Sequence, residues 1–93
     1  MSIDVDVVST RVTAVRDVVQ LTGGPTDAVA TYLPGRRVPG IRTCDGRLEI
    51  HAVVTTDRPV TAIADDIRNA VVPLADGMPV DVVIADVTVP SPT

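Results

Sequence analysis

Aromatic residues are almost absent from this 93-residue chain, which has no Phe, no Trp and one Tyr. A surface that stacks nucleic-acid bases or sugars uses aromatic rings, so the composition argues against a binding site of that kind. The core must be aliphatic instead, and 19 valines can supply it. Because valine is branched at Cβ and suits extended backbone, this composition favours β-sheet.

Lysine is also absent, and all eight basic residues are arginine. Twelve acidic residues outnumber them, so the net charge is −4 and the pI is about 4.6. A nucleic-acid partner requires a basic surface that neutralises phosphate, and the charge therefore argues against one. The missing lysines are typical of a GC-rich coding bias. Selection for bidentate arginine contacts is the functional alternative.

Cysteine and histidine occur once each, at Cys44 and His51. A single cysteine forms no intramolecular disulfide, so a reducing compartment is the simpler expectation. One Cys and one His do not make a zinc site, and we expect no metal, no cofactor and no catalytic residue. No apolar run approaches the ~20 residues that span a bilayer. The N-terminus also lacks the basic start of a secretory signal. We therefore expect a cytoplasmic protein without direct membrane insertion.

Residues 48–89 carry the clearest structural pattern, which is a strand, a helix and a second strand in succession. The helix is predicted from apolar residues that recur at three- and four-residue intervals and share one face. They are Val60, Ile63, Ala64, Ile67, Val71 and Leu74. The expected N-cap is Thr56 or Asp57. Pro73 should end the helix near Val72 or kink it there.

Asp45-Gly46 predicts a β-hairpin between residues 38–44 and 47–55, because a two-residue type I′ turn needs positive φ at both positions. The predicted pairs are Cys44 with Arg47, Thr43 with Leu48, Arg42 with Glu49 and Ile41 with Ile50. His51 then lies four residues beyond the partner of Cys44. At ~3.3 Å per residue this separation excludes a Cys–His catalytic pair within one chain.

The first 21 residues fit two patterns. Apolar and acidic residues alternate over residues 3–7, as in a strand, whereas the valines of residues 8–19 follow helical spacing. We predict a helix over residues 9–21 that ends before Gly23-Gly24. Whether residues 3–8 are strand or helix stays open.

Residues 27–33 predict a short strand, and Pro34-Gly35 should begin a loop through residues 34–40. Residues 80–89 predict the last strand, with apolar side chains on both faces. One face carries Val80, Val82 and Ile84, and the other carries Val83, Ala85, Val87 and Val89. Such a strand is typical of the centre of a sheet or of an oligomer contact. Residues 90–93 should form a frayed tail.

Together these elements predict a single α+β domain over residues 1–93, in the order α-β-β-β-α-β. We expect a two-layer sandwich in which two helices pack on one face of one mostly antiparallel sheet. The chain is long enough for one such core.

The charges are distributed unevenly along the chain. Residues 36–47 have a net charge of +3, while residues 1–35 have −2 and residues 48–93 have −5. A basic segment on an acidic body suggests head-to-tail docking of a second copy, and a solvated loop with scattered arginines is the alternative. The candidate protein-interaction residues are Arg36, Arg37, Arg42, Arg47, Val83 and Val87.

Residues 38–89 resemble the core of the alkaline-shock protein family, also called the envelope stress response proteins. The matching features are Gly40-Ile41 at the first strand, the Asp45-Gly46 turn, the valine-rich strand Leu48–Val54, the apolar helix Val60–Val72 and the last strand Val80–Val89. An N-terminal helix before the first strand also matches, so the likeness covers roughly residues 8–89. The family often has an aromatic-Gly turn where this chain has Thr56-Asp57-Arg58.

The resemblance implies a non-enzymatic cytoplasmic protein that self-associates and has no catalytic residues. Proteins of this family can collect at the inner face of the bacterial membrane through a membrane-anchored partner, and they are linked to cell-envelope stress. We therefore expect self-association and a membrane-anchored protein partner.

Two other functions fit parts of the sequence. The order strand, Thr-Thr, Pro, helix, strand is similar to small domains of iron–sulfur assembly proteins, which place a Cys before the helix. Residues 56–59 contain no Cys, so a metal or iron–sulfur accessory module rests on Cys44 and His51 alone. A small-ligand-binding regulatory domain of ferredoxin-like type rests on fold analogy.

Overall fold

The computed structural model describes residues 3–24, 28–55 and 57–89. Within them lie two α-helices and six β-strands, and three of the four strand pairings are antiparallel, so the chain has an α+β fold. The helices are α1 (Val5–Thr13) and α2 (Val60–Val71), and a 3₁₀ turn (Val72–Leu74) follows α2. The strands are β1 (Val18–Leu21), β2 (Ala30–Leu33), β3 (Arg36–Pro39), β4 (Ile41–Cys44), β5 (Arg47–Thr55) and β6 (Val80–Thr88).

The main sheet is built on β5. Along one edge of β5, residues 47–50 pair with β4 and residues 52–54 pair with β1, both antiparallel. Along the other edge β6 runs parallel to residues 48–55, and α2 makes the crossover between the two strands. β2 and β3 form a separate two-stranded sheet. The main sheet has four strands, as predicted, but the prediction of a single sheet was wrong, because β2 lies outside it and β1 is part of it.

β1 and β4 meet opposite His51, and Gly40 lies at this junction. The Thr22 N–H donates to the His51 carbonyl at 3.1 Å, and the His51 N–H donates to the Gly40 carbonyl at 2.8 Å. The Gly40 N–H in turn donates to the Val29 carbonyl at 2.8 Å. Gly40 has φ +80°, and a Cβ there would lie 2.8 Å from both the His51 oxygen and the Thr22 nitrogen. Glycine is required at this position both for its positive φ and for the close approach of two backbones.

The predicted β-hairpin around Asp45-Gly46 is confirmed. Asp45 has φ 53° and Gly46 has φ 73°, as a type I′ turn requires. All four predicted residue pairs of β4 and β5 are present. One of these pairs is also an ion pair, with Arg42 Nε 2.7 Å from Glu49 Oε2.

The predicted helix α2 is confirmed from its first residue to its end before Pro73. Ile63, Ile67 and Val71 are fully buried, as their shared face predicts. The predicted capping was wrong for Asp57, because Pro59 occupies the N-cap and no side chain accepts a hydrogen bond there. The other predicted cap, Thr56, lies outside the described residues.

The helix predicted over residues 9–21 was wrong at both ends. Asp4 is the N-cap of α1, and its Oδ1 accepts hydrogen bonds from the N–H groups of Asp6 at 3.1 Å and Val7 at 3.3 Å. Residues 5–8 are therefore helical. The chain turns at Asp17, which has φ 74°, and continues as β1. The second half of β5 extends beyond Ile41, the first residue of β4, and β1 pairs with it there. The valines at the start of β1 suit such a strand.

The loop predicted over residues 34–40 was also wrong. Pro34-Gly35 forms a tight turn that pairs β2 with β3, with Leu33 opposite Arg36. The strand predicted over residues 27–33 begins at Ala30 and pairs with β3 alone in this sheet. The Thr31 hydroxyl donates to the Ile41 carbonyl at 2.6 Å and connects this small sheet to β4.

The core is aliphatic, as the composition predicts. The side chains with no exposed surface come from α1, β4, β5, α2 and the turn after it, and they form one cluster. The largest are Val8, Val12, Ile41, Leu48, Ile50, Val54, Ile63, Ile67 and Val71. Tyr32, the single aromatic residue, is 71% exposed. The predicted tail, residues 90–93, lies outside the described residues.

Candidate interaction surface

β6 forms one edge of the main sheet. Among residues 3–24, 28–55 and 57–89, no strand pairs with the side of β6 that faces away from β5. The Pro79 carbonyl accepts from the Leu48 N–H at 2.9 Å, so residue 79 directs its backbone groups towards β5. Because backbone groups alternate between the two edges of a strand, Val80, Val82 and Ile84 direct theirs outwards. We call these outward groups and their side chains the β6 edge.

Three valines at or near the β6 edge expose much of their surface, namely Val83 (40%), Val87 (39%) and Val89 (80%). The prediction that they share one face was wrong. The pairing of β6 with β5 shifts register after Ala52, so Val83 lies opposite His51 and Val87 lies opposite Val54. His51 and Val54 point to opposite faces of β5, and Val83 and Val87 therefore do so too.

The structure places three of the four candidate arginines in ion pairs with their own chain. Arg36 on β3 binds Asp6 on α1 through both guanidinium Nη atoms. Arg42 on β4 binds Glu49, as described above, and Arg47 on β5 binds both carboxylate oxygens of Asp81 on β6, at 2.6 and 2.7 Å. Arg37 also has a partner in the chain. These arginines connect neighbouring elements instead of forming one free basic surface.

Cys44 and His51 are not brought together. Cys44 is exposed and lies opposite Arg47, while His51 Nε2 lies 3.6 Å from Glu49 Oε1. This Nε2 is buried and makes no hydrogen bond in the described part of the chain. Across the described residues, no group of three or more His, Cys, Asp or Glu side chains could hold a metal ion. The structure therefore adds no support to a metal or iron–sulfur module.

A cluster that the sequence analysis missed joins the end of α1 to the start of α2. The Asp17 carboxylate is 7% exposed and accepts hydrogen bonds from Arg58 Nε at 2.6 Å and from the Thr55 hydroxyl at 3.2 Å. Arg58 also binds Asp66 at 2.7 Å and the Arg16 carbonyl at 3.2 Å. The partners are 38 and 41 residues apart in the sequence, so no local pattern indicates the cluster.

The ion pairs lower the pKa values of their carboxylates. The hydrogen bond from Arg58 is the main cause for Asp17, and those from Arg36, Arg47 and Arg42 are the main causes for Asp6, Asp81 and Glu49. Burial acts in the opposite direction for each group. Each of these carboxylates consequently binds fewer protons in the folded protein than in the unfolded chain at mildly acidic pH.

This proton difference predicts how stability depends on pH. A carboxyl with a lowered folded pKa stabilises the fold above its unfolded pKa, and the contribution is lost as pH falls through the folded pKa. We expect the free energy of unfolding to stay nearly flat from about pH 7 to 5 and to fall below about pH 4. Urea titrations across this range measure it.

An arginine variant tests whether the Asp17 carboxylate contributes to this pH dependence of stability. The change Arg58→Gln should destabilise the fold at neutral pH, and the difference from wild type should shrink as Asp17 becomes protonated. Arg11→Gln removes the same charge from α1 and serves as the control. An unchanged difference between pH 7 and pH 3 would contradict the assignment.

One cavity of ≈ 450 Å³ lies beside the β4–β5 turn. Its lining is Ile3, Val5, Thr31, Thr43, Cys44, Asp45, Gly46 and Met78. The Thr31 hydroxyl is already bonded to Ile41, and Thr43, Cys44 and Asp45 are exposed. The cavity therefore offers no buried polar group that would select a ligand class.

No helix in the described ranges is long and apolar enough to cross a membrane. In comparisons with protein-family models, curated proteins and solved structures, none matched this chain.

Proposed function

We propose that this protein is a non-enzymatic, self-associating structural protein, and that copies associate through the β6 edge. The observation that carries the proposal is the nine-residue strand β6, which is paired on one side and directs backbone N–H and C=O groups outwards on the other. Outward groups that no neighbouring strand of the described residues pairs form a ready template for another strand.

β6 has few of the features that natural proteins use to prevent strand addition. Residues 80–88 contain no Lys and no Pro, and seven of the nine residues are neither Asp nor Glu. Asp81 is held in its ion pair with Arg47, which leaves Asp86 and the shift in register as the protective devices. The part of the edge before this shift is therefore the part available for pairing.

The arrangement of the elements supports the proposal from a second direction. The resemblance to alkaline-shock proteins rests on a helix, a hairpin, a second helix and a last strand, and α1, β4, β5, α2 and β6 follow in that order. We include in the proposal the two-layer arrangement, because Val8 and Val12 of α1 share one core with Ile63 and Ile67 of α2. We also include a cytoplasmic location and recruitment to the membrane by an anchored partner during envelope stress, as the resemblance implies.

Light scattering over a concentration series tests self-association. We expect the average mass of the wild-type protein to rise above the 9.7 kDa of one chain as concentration increases. The variant Val83→Lys places a charge between Val82 and Ile84 of the β6 edge and should shift this rise to higher concentration. Val72→Lys is the matched control, because Val72 is 51% exposed and lies at the end of α2.

Thermal unfolding by circular dichroism verifies that both variants fold. A wild-type protein that stays at 9.7 kDa at every concentration would refute the proposal. Equal self-association of Val83→Lys and Val72→Lys would refute the assignment to the β6 edge.

A further inference from the structure

We propose that the β6 strands of two copies pair antiparallel about a two-fold axis at Val83, so that the main sheet continues from one chain into the other. This inference rests on the proposed self-association and adds its geometry. A second copy is the occupant, and the backbone groups and side chains of β6 determine the register.

The outward backbone groups limit the possible registers. In an antiparallel pair, residues whose groups point at each other exchange two hydrogen bonds. With the axis at Val82, Val80 would exchange hydrogen bonds with the partner's Ile84. The Val80 carbonyl, however, already accepts a hydrogen bond from Arg68 Nε at 3.4 Å. With the axis at Ile84, Val82 would have to exchange hydrogen bonds with the partner's Asp86, which lies beyond the shift in register. An axis at Val83 pairs Val82 with the partner's Ile84 and Ile84 with the partner's Val82. The outward N–H and C=O groups of both residues then form hydrogen bonds.

The side chains fit the same register. Val83 would lie opposite the partner's Val83 in a non-hydrogen-bonded pair, where exposed apolar surface meets apolar surface. Asp81 would lie opposite the partner's Ala85, and Asp86 opposite the partner's Val80. No two acids face each other, and Asp81 keeps Arg47 as its partner. The strand is thus complementary to itself, which favours a second copy over an unrelated peptide.

Such a contact is small. Pairing extends over about five residues of each strand, because the shift in register after Ala52 changes the direction of the backbone groups that follow. Small interfaces form weak, reversible complexes. The dimer should therefore appear at high concentration, or where a partner gathers many copies at one surface.

Disulfide trapping tests the register. Cys44→Ser removes the native thiol, and Val83→Cys is then introduced. Cα atoms of a non-hydrogen-bonded antiparallel pair lie ~4.5 Å apart, within the range of a disulfide. With oxidised glutathione as the electron acceptor, we expect a covalent dimer to form on the order of 10-fold faster than for Val72→Cys, since pairing raises the local thiol concentration.

Val87→Cys in the same background is the control within the strand, because Val87 is as exposed as Val83 but lies beyond the shift in register. Equal trapping at positions 83 and 87 would overturn the register. So would the absence of trapping at position 83 in a protein that self-associates by light scattering, although the proposed function would then stand. A wild-type protein that never associates would overturn both.

Discussion

Replacing Gly40 with alanine is expected to lower the free energy of unfolding by about 2–5 kcal/mol. A residue with a Cβ costs roughly 1–2 kcal/mol at the φ of +80° found here. Overpacking typically costs a further ~1–3 kcal/mol. The new Cβ would meet backbone atoms at 2.8 Å, and those atoms belong to the junction of three strands. Neither neighbour can move without breaking the hydrogen bonds between Thr22, His51 and Gly40.

Gly46→Ala is the matched control for this change. Gly46 has φ +73°, but a Cβ there meets nothing within 4 Å, so we expect a loss of only ~1–2 kcal/mol from the backbone conformation. Urea denaturation followed by circular dichroism measures both variants. Equal losses at the two positions would show that the close approach of the strands at Gly40 contributes nothing.

Local sequence signals predicted the elements whose causes are local. The Asp45-Gly46 turn sets the hairpin register through its own two φ angles, and that register is present in full. The apolar spacing of α2 depends on helix geometry alone, and Pro73 ends the helix where expected. In both cases the residues that decide the structure lie within a few positions of each other.

The misassigned elements depend on partners distant in the sequence. Residues 18–21 form a strand because the second half of β5 offers them an edge, although their valines fit a helical pattern equally well. The pairing of β2 with β3 was missed because Pro34-Gly35 marks a turn without showing whether the residues on either side pair. Tertiary contacts decide between two conformations that the local sequence leaves almost equal.

The candidate interaction residues combine exposed valines with arginines held in ion pairs. Val83 and Val87 were chosen because they belong to the second apolar face of the last strand, and both are exposed. Their relation was wrong, since one extra residue in β6 reverses the faces after Ala85. The arginines were counted by charge, but Asp6 and Asp81 lie 30 and 34 residues from their partners, and this distance hid the ion pairs.

Truncating Ile67 to alanine is the second change with a large expected effect, about 2–5 kcal/mol of lost stability. Ile67 has no exposed surface and lies on the face of α2 that packs into the core. Removing its side chain loses the transfer free energy of the buried atoms and leaves a cavity, because the backbone of α2 is held by Ile63 and Val71 on either side.

A graded series separates burial from helix propensity at this site. Ile67→Val removes a single methylene and should cost about 0.5–1.5 kcal/mol, between wild type and Ile67→Ala. Alanine is the better helix former, so propensity alone would stabilise α2 in Ile67→Ala.

Val72→Ala removes an aliphatic side chain that is 51% exposed, and it should change stability by less than Ile67→Ala does. If Ile67→Ala unfolds at the same urea concentration as Val72→Ala, then packing against α2 does not hold the fold together. A loss that grows with the volume removed shows instead that burial of this face of α2 stabilises the fold.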